Sequence, residues 1–342
     1  MKLHLLPIAA AAFLGQAAFA QNTLSEAGSL MLFHEFDNRA GVANLITVTN
    51  TANGDATTDT IDVEYVYRAR VQRVGSQDVL VNCLETNRTR RLTPNDTLSL
   101  LTANDNPNYT QGYLYVFAKS RSTGQAIKFD KLIGNNLVID GLGAFDYSVN
   151  PVVFKAGAAL AAGAATDVDS DGIRDLNGNE YAMAADEILI PRFLGQSTRS
   201  GTSAAGYTSD LILVNLTGGT QFDAILDFLV YNDNEEPLSA QYQFRCWSKS
   251  SLLSISGVFS NEFLLSTNHA VNEIPGANYV KTGWIRIDGN VAYSTNTQVQ
   301  DPAFLAVLVE KIGPFKAADL PFAAGTQSNG DLLPQSINGD NN

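Results

Sequence analysis

A series of strand-like segments occurs twice in this chain, in the same order, and this repetition limits the possible folds more than any other feature. The segment "LITVTN" (45–50) recurs as "LILVN" (211–215), and "IDVEYVY" recurs as "AILDFLVY". Phe36 falls opposite Phe193, and "QGYLYVFA" corresponds to "TGWIRIDG". Several weak matches in a common order indicate an internal duplication. The sequence therefore predicts two homologous units.

Each repeated segment has the composition of a β-strand, because β-branched and aromatic residues dominate it. Ile46 and Val48 alternate with Thr47 and Thr49, which is the period of a half-buried strand. The segment "DAILDFLVY" is more apolar and predicts a strand covered on both faces. Short strands separated by polar turn clusters are typical of antiparallel β-sandwiches. We therefore predict an all-β chain of two tandem homologous antiparallel β-sandwich domains joined by an acidic linker loop.

The N-terminal segment "MKLHLLPIAAAAFLGQAAFA" has the pattern of a secretory signal peptide. Lys2 precedes a short apolar run, and Ala18-Phe19-Ala20 forms a small-x-small cleavage site. No later stretch approaches the roughly 18 apolar residues of a membrane helix. We predict export without a membrane span, to the periplasm, the outer surface or the medium. The alternative is a retained N-terminal anchor.

The predicted organisation has five parts. They are a signal peptide (1–20), a first β-sandwich (21–154), an Ala/Gly linker with an Asp-rich loop (155–186), a second β-sandwich (187–315) and a polar C-terminal tail (316–342). The Ala/Gly run that opens the linker predicts a pliant spacer or a short helix. The Gly/Asn-rich tail predicts disorder, with docking of Leu332-Leu333 as the alternative.

The charge of the chain restricts its partners. The formal net charge is −13, and an acidic surface repels phosphate backbones, so we expect no nucleic-acid partner. Acidity favours solubility and the binding of divalent cations. With 45% hydrophobic residues the chain is too apolar to be disordered overall.

The linker contains the segment "DVDSDGIRDLNG", which begins at Asp167. Alternate carboxylates on a tightly curled loop converge on one calcium ion, which requires six to eight oxygen ligands. Gly at the sixth position permits the sharp bend. The predicted ligands are Asp167, Asp169, Asp171, the backbone carbonyl of Ile173, and Asp175. The alternative is a solvated loop of polar turns between the domains.

The spacing D-x-D-x-D-G-x-x-D resembles the calcium loops of dockerin-like and thrombospondin type-3 repeats and the first part of an EF-hand loop. The resemblance covers about a dozen residues and implies a calcium ion as cofactor. The chain departs from the EF-hand at the twelfth position, where Gly178 replaces a bidentate Glu. Asn177, Asn179 or Glu180 would have to supply that ligand.

The chain contains two cysteines, Cys83 and Cys246, which excludes a disulfide-dense scaffold and a Cys-based zinc site. Both follow the second repeated strand, so they occupy matched positions in the two copies. They either pair with each other or remain buried thiols, and the sequence favours buried thiols because free Cys is among the most buried residue types.

No catalytic constellation emerges from the sequence. His34 and His269 are the histidines that follow the predicted signal peptide, and neither accompanies a G-x-S-x-G elbow; we expect both at the surface or at a strand edge. Paired carboxylates for glycoside cleavage could be drawn from Glu35, Glu64, Asp227 and Glu262, but any acidic protein offers such pairs. We therefore expect a non-enzyme.

Among the aromatic residues, Tyr113, Tyr115 and Phe117 share one face of a strand, which predicts a core face. Trp247 follows Cys246 and lies on the opposite face of its strand, so it is the best candidate for a carbohydrate contact. Trp284 is a further aromatic residue that a sugar platform would use.

The segments "GSLMLFHEFDNRAG", "LITVTNT", "CLETN" and "LTPNDTL" together resemble a family of exported bacterial tandem β-sandwich proteins that has no assigned activity. The resemblance implies export and extends over both copies, but it supplies no site residues. We predict a secreted, non-catalytic protein with a structural, adhesive or surface-binding role and a calcium-stiffened junction. The alternative is a carbohydrate-binding module that acts on extracellular glycans, and a hydrolase ranks third. A cell-surface or extracellular glycan or protein is the expected partner.

Overall fold

The protein is described from a computed structural model. The described residues are 26–141, 145–197, 207–232, 235–265, 281–312, 315–319, 321–328 and 330–334. The predicted signal peptide and His269 lie outside them. The fold is all-β, as the sequence predicts, and its strands pair antiparallel.

The part of the first half that the structure describes contains nine strands. They are β1 (Leu30–Asp37), β2 (Val42–Asn50), β3 (Ile61–Val74), β4 (Gln77–Leu92), β5 (Thr97–Leu101), β6 (Tyr109–Lys119), β7 (Leu132–Asp140), β8 (Phe145–Val149) and β9 (Val152–Phe154). Two single-turn helices accompany them, α1 (Ala56–Asp59) and α2 (Thr102–Asp105).

The remaining strands follow the linker, apart from one that lies within it. They are β10 (Ile173–Leu176), β11 (Ala184–Leu194), β12 (Tyr207–Asn215), β13 (Asp223–Asn232), β14 (Pro237–Arg245), β15 (Trp247–Ser251), β16 (Thr282–Tyr293), β17 (Gln298–Gln300), β18 (Phe304–Ile312), β19 (Phe315–Asp319), β20 (Phe322–Ser328) and β21 (Gly330–Pro334). The described helices of this half are α3 (Leu252–Ile255), α4 (Asn261–Leu264) and two 3-10 turns, Gly219–Gln221 and Gly257–Phe259.

Four large sheets contain most of these strands, and they form two sets with the same strand order. In the first half, sheet A has the order β5-β2-β7-β8 and sheet B has the order β4-β3-β6-β1-β9. In the second half, sheet C has the order β15-β12-β18-β19 and sheet D has the order β14-β13-β16-β11-β20, with β17 added beside β16. Sheet A thus corresponds to sheet C, and sheet B corresponds to sheet D.

Irregular features of the strands recur at matching places. The register of β1 against β6 shifts between Phe33 and Phe36, and that of β11 against β16 shifts between Ile190 and Phe193. Phe36 pairs with Gly112 and Phe193 pairs with Gly283. A Cβ on either glycine would collide with a carbonyl oxygen of the neighbouring strand, so both positions require glycine. These matches support the predicted duplication.

A second matched feature corrects the predicted equivalence of the cysteines. Asn50 and Asn215 each end a strand, and each side chain accepts a hydrogen bond from the amide two residues later, at 3.0 Å in both cases. The Asn50 amide donates to the carbonyl of Asp96, and the Asn215 amide donates to that of Cys246. Cys246 therefore corresponds to Asp96 in the first half, whereas Cys83 lies within β4. The prediction that the cysteines occupy matched positions is wrong.

Three hydrophobic cores separate the four sheets. One core lies between sheets A and B, and another lies between sheets C and D. The third, which we call the junction core, joins sheet B to sheet C and contains residues of both halves. Strands of sheets B and C are consequently buried on both faces: in β12, Leu211 and Leu213 face the second-half core, while Ile212 and Val214 face the junction core.

The junction brings together faces that do not correspond, because sheet B of the first half meets sheet C of the second half. The halves are therefore stacked head to tail. Tyr113, Tyr115 and Phe117 are buried as predicted, and they lie in the junction core. By contrast β13, in "DAILDFLVY", alternates between buried and half-buried residues, because only one face of sheet D is covered; the prediction of two covered faces is wrong.

The Ala/Gly run forms no helix: it consists of turns between two β-bridges, Ala156 with Tyr181 and Ala165 with Ile127. The later part of the linker is packed, since Arg174, Leu176 and Tyr181 are fully buried. The described part of the tail, up to residue 334, differs from the predicted disorder, since β19, β20 and β21 pair with β18, β11 and β10. Leu333 pairs through its backbone with Arg174, as the docking alternative anticipated. Of the helices described, none is long and apolar enough to cross a bilayer.

Candidate functional site

The Asp-rich loop is held in place by its two ends. At its start, the Thr166 amide donates to the carbonyl of Ala126 at 3.0 Å, and the Thr166 hydroxyl contacts the hydroxyl of the buried Tyr181 at 2.8 Å. The later part of the loop contains β10, which pairs with β21. The backbone that carries the carboxylates is therefore held at its start and along β10.

Carboxylate oxygens of the loop converge in two overlapping groups. Asp167, Asp169 and Glu180 form one group, and Asp169, Asp171 and Asp175 form the other; within each group the oxygens lie within 4.8 Å of one another. Oxygens on opposite sides of a calcium ion are about 5 Å apart, since each Ca–O distance is about 2.3–2.6 Å. The structure thus brings together all four predicted aspartates, and Asp169 belongs to both groups.

Glu180 joins the cluster from outside the twelve-residue pattern. It is 1% exposed, and its two oxygens accept hydrogen bonds from the amides of Val168 at 2.6 Å and Asp175 at 3.2 Å. The sequence offered Asn177, Asn179 or Glu180 in place of the missing Glu, and Glu180 is the one that joins the cluster. Burial raises the pKa of Glu180, and the nearby charge of Asp167 raises it further.

The backbone of the loop is shaped by its own side chains. The amides of Asp171 and Ile173 donate to the carboxylates of Asp169 and Asp171, at 3.2 and 2.7 Å. Gly172 has a φ of +80°, a conformation that favours glycine, and its amide donates to Asp167 at 3.2 Å. These contacts curl the loop around its carboxylates, and they are equally compatible with the alternative of a loop of polar turns.

A buried cation lies beneath the loop. The side chain of Arg174 is fully buried, and its guanidinium lies 5.3 Å from the ring centroid of Phe117 in the junction core. It donates to Asp167 at 3.4 Å and to the carbonyl of Ile173 at 2.8 Å. The carbonyl that was predicted to bind calcium is therefore already engaged, although a carbonyl oxygen has a second lone pair.

One observation indicates that the loop is suited to a cation. Within the described residues, the buried Oδ1 atom of Asp167 has no hydrogen-bond partner. A buried acceptor without a partner costs about 1–3 kcal/mol. Because the surrounding donor set consists of hard carboxylate oxygens, the residues fit a divalent cation such as calcium.

The two cysteines are paired, whereas the sequence favoured buried thiols. Cys83 and Cys246 form a disulfide with Cα atoms 6.4 Å apart, and it joins the first half to the second. Burial alone could not distinguish the alternatives, since each cysteine is 2% exposed. The sequence held no signal for the pairing, because it depends on how sheets B and C meet.

His34 and Glu35 are buried in the junction, so the predicted surface position of His34 is wrong. Glu35 forms an ion pair with Lys249 of the second half at 2.6 Å, and it lies 3.6 Å from His34. Glu64 pairs separately with Lys119 at 2.9 Å. Asp227 accepts hydrogen bonds from Gln241 and Asn290, and Glu262 accepts one from Ser197. Each of the four proposed carboxylates thus has its own structural partner.

Trp247 is not available to a carbohydrate. It is 5% exposed, and its indole N–H donates to the carbonyl of His34 at 2.9 Å. The prediction failed because the outer face of β15 is covered by the first half. The structure instead leaves a different aromatic pair on an open sheet face: Tyr231 and Trp284 are half-buried on sheet D and stack with centroids 4.4 Å apart.

Comparisons with known proteins show no close relative. No family model and no curated protein matches the chain. The structures that resemble it include a candidate secreted protein from Parabacteroides distasonis ATCC 8503 (9% identity, 80% of this chain and 74% of that chain, TM-score 0.17). Others are the cowpea mosaic virus top component (9%, 97% and 100%, TM-score 0.18) and the CBM22-1–CBM22-2 tandem domain of Paenibacillus barcinonensis Xyn10C (10%, 86% and 80%, TM-score 0.16). TM-scores of this size carry no argument about function.

Proposed function

We propose that the chain is an exported, non-catalytic protein with a structural, adhesive or surface-binding role, in which calcium stiffens the linker between two β-sandwich halves. The observation that carries the proposal is the convergence of Asp167, Asp169 and Glu180 around a buried carboxylate oxygen that has no partner among the described residues. Calcium bound there would neutralise part of this charge and cross-link the start of the loop to its end.

The position of the loop gives such an ion a mechanical effect. Arg174 lies between Asp171 and Asp175 in the loop and packs against Phe117 in the junction core, while β10 pairs with the C-terminal β21. Tightening the loop therefore stiffens a segment that contacts the first half, the second half and the tail. A rigid spacer that presents two sheet faces suits a structural or adhesive role.

Calcium is expected to raise the melting temperature of the protein. A ligand at 100 times its Kd stabilises the folded state by about 2.7 kcal/mol, so a clear shift should appear by differential scanning fluorimetry between excess calcium and EDTA. The shift should be larger at pH 7 than at pH 4, because acid protonates Glu180, whose pKa is raised, and a protonated carboxyl is a poor ligand.

The variant Asp169→Asn should abolish most of this shift, because Asp169 belongs to both carboxylate groups. Asp146→Asn is the matched control, since Asp146 is exposed on β8, outside the loop, and it should retain the full shift. An identical melting curve with calcium and with EDTA would leave the loop as a set of polar turns.

The second candidate function is carbohydrate binding at the open face of sheet D. Tyr231 and Trp284 pair directly across β13 and β16, and their rings are nearly parallel, at 6°. A cavity of about 590 Å³ on the same face is lined by Asp227, Arg286 and Asp288. Aromatic rings beside carboxylates and a guanidinium suit the apolar faces and the hydroxyl groups of a sugar chain.

Trp284→Ala is expected to weaken retention on an insoluble polysaccharide by at least about tenfold, equivalent to about 1.4 kcal/mol, because it removes one ring of the platform. Pull-downs with cellulose, xylan and chitin would measure this loss. Leu101→Ala is the control, since Leu101 is an exposed apolar residue on sheet A. Failure of the wild-type protein to bind any of the three, or equal retention of Trp284→Ala, would remove this candidate.

A further inference from the structure

A recess of about 550 Å³ opens where the two halves meet, between the end of β3 and strands β14 and β15. Its volume lies within the roughly 300–1,000 Å³ of small-ligand sites, which form preferentially at domain boundaries. The recess is separate from the Asp-rich loop and from the open face of sheet D, since it shares no lining residue with either.

The recess is lined by cations although the chain is acidic overall. Arg39, Arg70, Arg245 and Lys249 line it, and Asp210 is the one acidic residue among the lining residues that the structure describes. The carboxylates that pair with two of these cations are buried: Asp37, the partner of Arg39, is 2% exposed, and Glu35, the partner of Lys249, is fully buried. Asp223, the partner of Arg245, is 21% exposed but does not line the recess. Four cations and one carboxylate among the described residues thus line the recess itself.

Arg70 differs from the other three cations. Its Nη1 donates to the carbonyl of Val81 at 2.5 Å, and within the described residues no carboxylate lies at ion-pair distance from it. Arg245, which binds Asp223 through two hydrogen bonds, is the source of repulsion. Burial lowers the pKa of Arg70 and the charge of Arg245 lowers it further, while the charges of Asp223 and Tyr242 partly offset this. Because a guanidinium remains charged at neutral pH, an anion beside Arg70 would relieve this repulsion.

Neutral hydrogen-bonding groups line the same recess. The hydroxyl of Tyr242 lies 2.9 Å from the hydroxyl of Ser248 and 3.2 Å from that of Ser250, and all three residues line the cavity. Hydroxyl groups both donate and accept hydrogen bonds. A ligand that combines one anionic group with several hydroxyl groups matches this lining.

We propose that the recess binds an acidic saccharide, whose carboxylate pairs with Arg70 and whose hydroxyl groups bind the hydroxyls of Tyr242, Ser248 and Ser250. A planar carboxylate matches the planar fork of a guanidinium. The net charge of −13 disfavours a long polyphosphate, which would extend beyond the recess, whereas a small sugar acid fits within it. The proposal shares the extracellular setting of the proposed function but depends on neither calcium nor the aromatic pair on sheet D.

Isothermal titration calorimetry with digalacturonic acid tests the proposal on the full-length mature protein. We expect saturable binding, at least tenfold weaker binding of the neutral disaccharide lactose, and at least a tenfold loss of affinity in Arg70→Gln. Arg73→Gln is the matched control, because Arg73 lies on the same strand, is exposed and pairs with Asp78; it should bind like the wild type. Tyr242→Phe, which removes only a hydroxyl, should weaken binding about threefold and covers the case in which Arg70→Gln fails to fold.

Three outcomes would overturn the proposal: no heat of binding with digalacturonic acid, equal affinity in wild type, Arg70→Gln and Tyr242→Phe, or binding of inorganic sulfate as tight as that of the sugar acid. Trp284→Ala should leave this binding unchanged. If polysaccharide retention is absent but digalacturonate binds, the carbohydrate face of sheet D fails and the recess stands. If polysaccharide is retained but digalacturonate does not bind, the recess fails and the carbohydrate face stands.

Discussion

Replacing Lys249 with methionine is expected to lower the free energy of unfolding by about 3–5 kcal/mol, the usual cost of removing one partner of a buried ion pair. Glu35 is fully buried in the junction between the halves, and Lys249 contacts it at 2.6 Å. Without the ammonium group, the carboxylate of Glu35 would remain buried beside His34 and the covered face of sheet C. Urea unfolding at pH 7, followed by circular dichroism, measures the loss.

Lys131→Met is the matched control for this variant. Lys131 pairs with Asp59 at 3.1 Å, but its side chain is 45% exposed, and exposed ion pairs contribute only about 0–1 kcal/mol. Similar losses in the two variants would show that the junction pair is not buried as described.

The stability deficit of Lys249→Met should depend on pH in a characteristic way. Burial opposes ionisation of Glu35, but the charge of Lys249 and the contact with His34 outweigh it and lower the pKa of Glu35 from 4.5 to about 2. The stabilisation is therefore fully present above about pH 4.5 and is lost as the pH falls through 2. Without Lys249, only His34 opposes the effect of burial, so the pKa of Glu35 should rise, acid should neutralise more of the stranded carboxylate, and the deficit of Lys249→Met should be smaller at pH 3 than at pH 7. A deficit that is independent of pH would contradict this explanation.

Removing the disulfide is expected to lower the free energy of unfolding by about as much as Lys249→Met does. Cys83 and Cys246 are 163 positions apart in the sequence, and the chain-entropy treatment of a loop of that length gives about 5 kcal/mol, with measured values usually between about 2 and 5 kcal/mol. The double variant Cys83→Ala/Cys246→Ala should unfold at a correspondingly lower urea concentration than the oxidised wild type. The reduced wild type is the control, because it lacks the cross-link but keeps both side chains.

The reduced wild type and the double variant should lose similar amounts of stability, since the cross-link is what both of them lack. If the oxidised and reduced proteins unfold at the same urea concentration, with thiol labelling confirming reduction, the two cysteines do not bond across the junction. If only the double variant is destabilised, the packing of the sulfur atoms matters more than the bond.

The strands could be predicted from the sequence because their burial pattern is local. The alternation of Ile46 and Val48 with threonines matches the half-buried β2. Phe36 and Phe193, which the sequence predicts to be equivalent, both lie at the register shift that the two halves share. The four aspartates of the loop were also predictable, because their spacing sets which carboxylates a tight curl brings together. Glu180 was named only as one of three options, since its position depends on the fold around β10.

The junction was missed, although the sequence held a signal for it. The ends of β2 and β12 correspond through Asn50 and Asn215, so Thr47 and Thr49 take the places of Ile212 and Val214. The first pair lies on the open face of sheet A, and the second pair is buried in the junction core. A comparison of the two copies position by position would have shown that one face of sheet C is covered. Trp247, on that face, would then have been placed in the core.

The disulfide and the paired tail could not be predicted from local pattern. Cys83 and Cys246 meet only because sheets B and C pack together, and β20 and β21 find partners at β11 and β10, far from them in the sequence. Such long-range pairing leaves little trace in the composition of the segments involved. The Gly- and Asn-rich tail resembles a disordered segment even where its backbone pairs.

Native-state amide hydrogen exchange, measured strand by strand, tests most directly whether the two halves are one rigid unit joined by the junction core. If they are, the central amides of β6, β12 and β13 should exchange with one common free energy, equal to that of global unfolding. If the amides of the second half exchange at a clearly lower free energy than those of the first half, the two halves unfold independently. That result would contradict a junction core that unites them.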